Sequence, residues 1–132
     1  MKLTLPLRFK SGKQNILYSL NNFMIPVGVD KQVNTYWLLR AKKHLVGVAV
    51  KQMKDIPQFK DRVDITVTIY RDSNRLCDMG NFTIIEKFVT DAVVHEGVLP
   101  DDNHKFVRSV CIIDGGLDKE NPRAEYMLTI TE

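Results

Sequence analysis

The sequence predicts an α/β domain, a single mixed sheet of about four to five strands with two main helices. Three observations lead there. Residues 62–70 alternate strictly, with Val63, Ile65, Val67 and Ile69 facing one way and Asp64, Thr66 and Thr68 the other. Two stretches with helical spacing of apolar residues, 34–53 and 81–96, lie on either side of that strand. Further strand-like segments come before, between and after them. A chain of 132 residues fits one compact domain, and no repeat or linker-like run divides it, so residues 1–132 are expected to fold together.

Residues 3–9 open the chain as a strand, in which Pro6 favours an edge position or a short element. Residues 10–30 read as loop, marked by Ser11-Gly12, Asn21-Asn22 and Pro26, with one short strand expected around 23–27. The first helix, 34–53, has Asn34 or Thr35 available as its N-cap. At 100° per residue, Trp37, Leu38, Ala41, Leu45, Val46, Val48, Ala49 and Val50 form an apolar arc. Arg40, Lys43, His44, Gly47, Lys51 and Lys54 gather opposite as a basic stripe with a glycine gap. After the alternating strand, residues 71–80 are a polar loop. The second helix, 81–96, turns Phe82, Ile85, Phe88, Val89, Ala92 and Val93 inward, and Gly97 suits its C-terminal stop. Residues 98–104 should turn, 106–113 form a strand, 114–123 turn again through Gly115-Gly116 and Asn121-Pro122, and 124–131 form the last strand.

Composition narrows the function classes. No apolar run approaches the roughly 20 residues that cross a bilayer, and Met1 to Pro6 lacks the apolar stretch of a signal peptide. Cys77 and Cys111 have no zinc-site spacing and read as reduced thiols, so a cytoplasmic protein is expected. A net charge of +3 does not diagnose nucleic-acid binding, but its distribution is informative. Between Lys31 and Lys54 lie six basic residues, Lys31, Arg40, Lys42, Lys43, Lys51 and Lys54, and no acidic one. Such a row attracts a phosphate backbone, which Gly47 would let approach closely; equally, lysines are the ordinary residents of a solvated helix face.

Chemistry concentrates around the second helix. Asp78 lies at its mouth, and Asp101-Asp102 follow its end. Two carboxylates meeting near a lysine would make a hard-oxygen site for Mg²⁺. Spacing alone reads as well as a capping Asp-x-x-Asn and an Asp-Asp turn. His44, His95 and His104 have no Cys or Ser partner that signals nucleophilic catalysis. Tyr36 and Trp37 could stack on bases, although Trp37 lies near the apolar arc. No phosphate-binding Gly-x-x-x-x-Gly-Lys loop is present.

The order Asp78, Asn81, Lys87, Asp91-Ala92-Val93, Gly97 and Asp101-Asp102 resembles the signature of RusA-type Holliday-junction resolvases. In that family an Asp-x-Asp-Asn opens a helix carrying a Lys and Asp-Ala-Leu, before a Gly-containing turn and an Asp-Asp pair. The closing segment Leu128-Thr129-Ile130-Thr131-Glu132, the opening Leu-Pro and the Ser19-Leu20-Asn21-Asn22 stretch are similar too. The resemblance extends to motif detail over residues 62–132. It departs twice: Gly80 stands where the family has its second aspartate, and about three extra residues, close to one helical turn, separate Asn81 from Lys87.

By that resemblance the chain is a structure-selective endodeoxyribonuclease that resolves Holliday junctions by paired hydrolysis of phosphodiesters, with Mg²⁺, or Mn²⁺, as cofactor. Asp78, Asp102 and Lys87 are its expected catalytic residues. Asp78 and Asp102 are the expected metal ligands, with Asp101, Glu86, Asp72 or water as a third. Arg40, Lys43, Lys51, Lys54, Arg71 and Arg75 are the expected DNA contacts. A homodimer on branched DNA is implied, since two-fold symmetry matches two cuts on opposing strands, working in the cytoplasm of a bacterial or phage-infected cell. Three alternatives stand beside it: a junction binder that has lost catalysis through Gly80, a metal-dependent nuclease of broader substrates, and a small interaction domain with solvated acidic loops.

Overall fold

A computed structural model of the chain describes residues 1–27, 30–33 and 35–131. Two helices pack on one face of a mixed four-stranded sheet. The N-cap expected at Asn34 and the final residue Glu132 lie outside the described residues.

Strand β1 (Lys2–Leu5) ends at Pro6, and β2 (Arg8–Ser11) leaves the sheet to pair with β3 (Gln14–Leu17) as a hairpin. The single strand expected over 3–9 is therefore two. The alternation of Leu3, Leu5, Leu7 and Phe9 runs unbroken through the division, because all four are buried. A second hairpin follows, β4 (Met24–Val27) with β5 (Asp30–Val33), where loop and one short strand were expected. Phe9 stacks on Tyr18 and Phe23 with ring centroids 5.2 and 6.4 Å away, tying the first hairpin and a 3-10 turn at Leu20–Phe23 to the core.

Helix α1 (Thr35–Gln52) matches its expected span. Ala41, Leu45, Ala49 and Met53 bury its inward stripe, and Trp37, Leu38, Val46, Val48 and Val50 flank it. Strand β6 (Val63–Arg71) carries the alternation read from the sequence: Val63, Ile65, Val67 and Ile69 are buried against the helices. Each such side chain contributes roughly 1.5–3 kcal/mol on leaving water. A 3-10 turn at Met79–Phe82 then leads into α2 (Thr83–His95). Gly97 closes α2 with φ at +77°, a left-handed conformation that glycine adopts without Cβ strain. The helix buries its expected face and also Ile84 and Thr90, because it is packed against α1 as well as the sheet.

Strands β7 (Val107–Leu117) and β8 (Arg123–Ile130) complete the sheet in the order β1-β8-β6-β7. β6 pairs parallel with β7 and antiparallel with β8, which pairs antiparallel with β1. β7 runs beyond the turn expected to start at 114, passing through Gly115-Gly116 with a bulge opposite Ile69 and Tyr70. A Cβ at Gly115 would come within 2.8 Å of Thr68 Cγ2 and Tyr70 Cε1, so this glycine serves a close approach between strands, while Gly116 takes a φ of +98°. The outer face of the sheet carries a polar mixture, with Lys2 beside Glu125 and Arg108 beside Asp64.

Candidate functional site

The β6–α2–β7 unit is a parallel crossover. Loop 72–78 therefore leaves the C-terminal end of β6, and loop 97–106 enters the N-terminal end of β7, at the other end of the strand pair. The second loop returns along the flank of α2. There Asp102 Oδ2 lies 4.0 Å from the Lys87 ammonium, joining two residues distant in sequence. The Lys87 side chain is largely open to water and that of Asp102 partly so, and at this separation the pair adds little to stability.

Glu86 precedes Lys87 and is half-buried. Burial pushes its carboxyl above the usual carboxylate range; Asp102 and Asp91 push the same way, while the Thr90 hydroxyl and Lys87 pull down. The Thr90 hydroxyl lies 2.8 Å from Glu86 Oε1 and 2.8 Å from the phenolic oxygen of fully buried Tyr126. A polar chain thus runs from β8 through α2 to the surface beside Lys87 and Asp102. Sequence reading assigned no role to Thr90 or Tyr126; a threonine one residue past the buried Val89 was the available signal.

The other acidic candidates have separate surroundings. Asp78 stands at the start of the 3-10 turn with an exposed side chain that makes no capping hydrogen bond, so the capping reading fails for its carboxylate. It lines a cleft with Ser19, Asn21, Asn22 and Asn81. Among the described residues, no hydrogen bond or ion pair joins Asp78 to Lys87 or Asp102. Asp101 holds its own turn, accepting from the Asp102 amide at 2.7 Å and the Asn103 side chain at 3.0 Å. Asp72 is engaged by Arg8 at 2.7 Å, and Asp91 pairs with Lys42 of α1 at 3.7 Å. No three His, Cys, Asp or Glu side chains among the described residues converge closely enough to hold a metal ion.

The 3-10 turn at Met79–Phe82 separates Asn81 from the helix that carries Lys87. α2 starts at Thr83, with Ile84 buried in the core and Lys87 pointing outward. Gly80, within that turn, has no left-handed φ, and a Cβ there would meet nothing within 4 Å.

Among the basic candidates, Arg40, Lys43 and Lys51 line one groove along α1 with His44, Gly47 and Val48. A Cβ at Gly47 would meet nothing within 4 Å, and His44 packs on Phe9 with ring centroids 5.5 Å apart. Lys54 is exposed just beyond the helix. Arg71 donates to Asp114 at 2.9 Å and to the Ser73 carbonyl at 3.0 Å. Arg75 is exposed and lines a cavity with Arg71, Asp72 and Cys77. No helix of the described residues is long and apolar enough to cross a membrane.

No protein-family model matches the chain, and no curated protein matches it either.

Proposed function

We propose that the chain is a divalent-cation-dependent endonuclease of RusA type that cuts branched DNA, four-way junctions first among them, as a homodimer. The observation that carries this reading is the approach of Lys87 to Asp102 beside the half-buried Glu86, on a domain whose first helix bears a basic groove. A lysine held near a carboxylate on an open surface serves phosphate chemistry better than it serves stability.

The donor set suits a hard cation in part. Asp102 and Glu86 are close enough for one charge to raise the proton affinity of the other, a repulsion that a divalent ion would relieve. Asp78, free of any capping bond, is the further ligand that the family resemblance implies, but it does not converge with Asp102 and Glu86 on one point. Mg²⁺ retains several waters, so few protein carboxylates suffice. When bound, it would supply Lewis-acid activation of water and neutralise charge on the phosphate. Lys87 then offers its ammonium to a non-bridging phosphate oxygen, and Asp102 orients that ammonium. Arg40, Lys43 and Lys51 hold the duplex arm by its backbone, which sets position without reading sequence.

Asp102→Asn and Lys87→Met test the assignment. Each is expected to remove Mg²⁺-dependent nicking while junction binding, followed by gel shift, persists. Normal cutting by both variants would refute it. Gly80 favours one second reading, a junction-binding protein with weakened catalysis. In that case cutting appears only after Gly80→Asp.

A further inference from the structure

We propose that the cleft between the Leu20–Phe23 turn and the Leu76–Asn81 segment takes one unpaired nucleobase of a DNA strand, with Ser19, Asn21 and Asn81 reading its edge. The inference deepens the proposed function and rests on its DNA-binding half. It names a feature that sets branched DNA apart from plain duplex.

Ser19 is the starting observation. Only 6% of its surface is exposed, yet its hydroxyl has no hydrogen-bond partner among the described residues. A buried hydroxyl ordinarily has one. The backbone around it is already engaged: the Ser19 amide donates to the Leu17 carbonyl at 2.8 Å, and the Ser19 carbonyl accepts from the Asn22 amide at 3.0 Å. The Asn22 side chain donates to the Leu17 carbonyl at 2.8 Å, and buried Phe23 anchors the turn in the core. Ser19 lines the cleft, which is where its hydroxyl can find a partner. The side-chain amides of Asn21 and Asn81, on the same cleft, are likewise unengaged among the described residues.

The lining selects the occupant. The cleft holds about 520 Å³, within the range of about 300–1,000 Å³ for small-ligand sites. Leu17 and Phe82 give it an apolar side, and Asp78 is its one acidic residue. One carboxylate among neutral hydroxyl and amide groups suits a flat, uncharged ring with donors and acceptors on its edge better than it suits a metal ion. An amide offers a donor and an acceptor side by side, the pairing that adenine N6 and N7 take up. The same apolar wall borders a second cavity of about 200 Å³, which carries Arg8, Arg71 and Arg75. Arg8 and Arg71 are held by Asp72 and Asp114, whereas Arg75 has no ion-pair partner among the described residues. A base in the cleft therefore has a free guanidinium next door for the phosphate of its own strand. A paired base must first leave its stack to enter, and an unpaired base at a branch point enters at lower cost.

Fluorescence anisotropy in EDTA tests the cleft with two labelled duplexes, one fully paired and one carrying a single unpaired adenine. The unpaired adenine should tighten binding at least about ten-fold. A chain with both Ser19→Ala and Asn21→Ala should lose that preference while keeping its affinity for the paired duplex. Its unfolding midpoint should be no lower than the parent's, because neither side chain gives up a bond within the chain. Free deoxyadenosine monophosphate should bind at least about ten-fold more weakly than the bulged duplex, since a strand adds contacts to its backbone. Four results would each overturn the inference: equal affinity for the two duplexes, a preference that survives in the double variant, a destabilised double variant, or free nucleotide bound as tightly as the strand. A preference for the bulge in a chain that cuts no junction would keep the cleft and remove the nuclease. A chain that cuts junctions but treats the two duplexes alike would do the reverse.

Discussion

Gly80→Asp is the most informative single substitution, because the structure separates its effect on folding from its effect on chemistry. Gly80 lies in the 3-10 turn that precedes α2, with ordinary φ and open space where a Cβ would stand. Replacing a glycine at a compatible φ restricts the unfolded chain and stabilises by about 0.4–1 kcal/mol. A carboxylate near a helix N-terminus adds about 0.3–1 kcal/mol. Repulsion from nearby Asp78, itself exposed, offsets part of that. The sum is a stabilisation of at most about 2 kcal/mol, reduced by that repulsion. Gly115→Ala is the contrast, since its Cβ would meet Thr68 and Tyr70 at 2.8 Å inside the sheet. Overpacking of that kind costs about 1–3 kcal/mol. Urea denaturation of both variants measures the difference, and the same Gly80→Asp sample, titrated with Mg²⁺, reads the chemistry. The added carboxylate should make thermal stability more responsive to Mg²⁺ than in the parent, since an ion that binds only the folded state stabilises it. A loss above about 2 kcal/mol for Gly80→Asp would refute the local geometry. An Mg²⁺ response no larger than the parent's would refute a metal site at this turn.

Two further outcomes follow from the same structure. Glu86 holds its proton more tightly when folded than when unfolded, so its contribution is favourable at low pH and is lost as pH rises through the raised value. Glu86→Gln should therefore be more stable than the parent at neutral pH, with the gap closing below the ordinary glutamate range of about 4.3 when urea midpoints are compared across pH; a gap that widens in acid would contradict the burial described. Reversing Arg40, Lys43 and Lys51 together should flatten the dependence of junction affinity on salt by roughly 0.9 per lost phosphate contact, and an unchanged slope would take the α1 groove out of the DNA interface.

Long, strongly periodic elements were legible in the sequence. In α1, β6 and α2 the apolar spacing reports the buried face directly, and Leu45, Ile65 and Val89 fall where it predicts. The hairpins were not legible. β2 to β5 have four residues each, too few for a period to emerge, and the burial of both Leu5 and Leu7 concealed the break at Pro6. Gly115-Gly116 looked like a turn because glycine breaks strands on average, whereas here it admits Thr68 and Tyr70 side chains. For the site, the family-like order of residues placed Lys87 and Asp102 in one neighbourhood, which the return of loop 97–106 along α2 provides. It gave no warning that a parallel β6–β7 pair sends loops 72–78 and 97–106 from opposite strand ends, since strand direction leaves no trace in spacing. Nor did it reveal that Asp72, Asp91 and Asp101 each have other partners. Such pairings depend on long-range geometry.

Incubating the chain with a synthetic four-way junction, with and without Mg²⁺, tests the central claim most directly. Paired nicks on opposing strands, present with the ion and absent without it, are the expected product. An intact junction in both tubes, from a folded chain that carries Asp at position 80 as well as from the parent, would contradict the account.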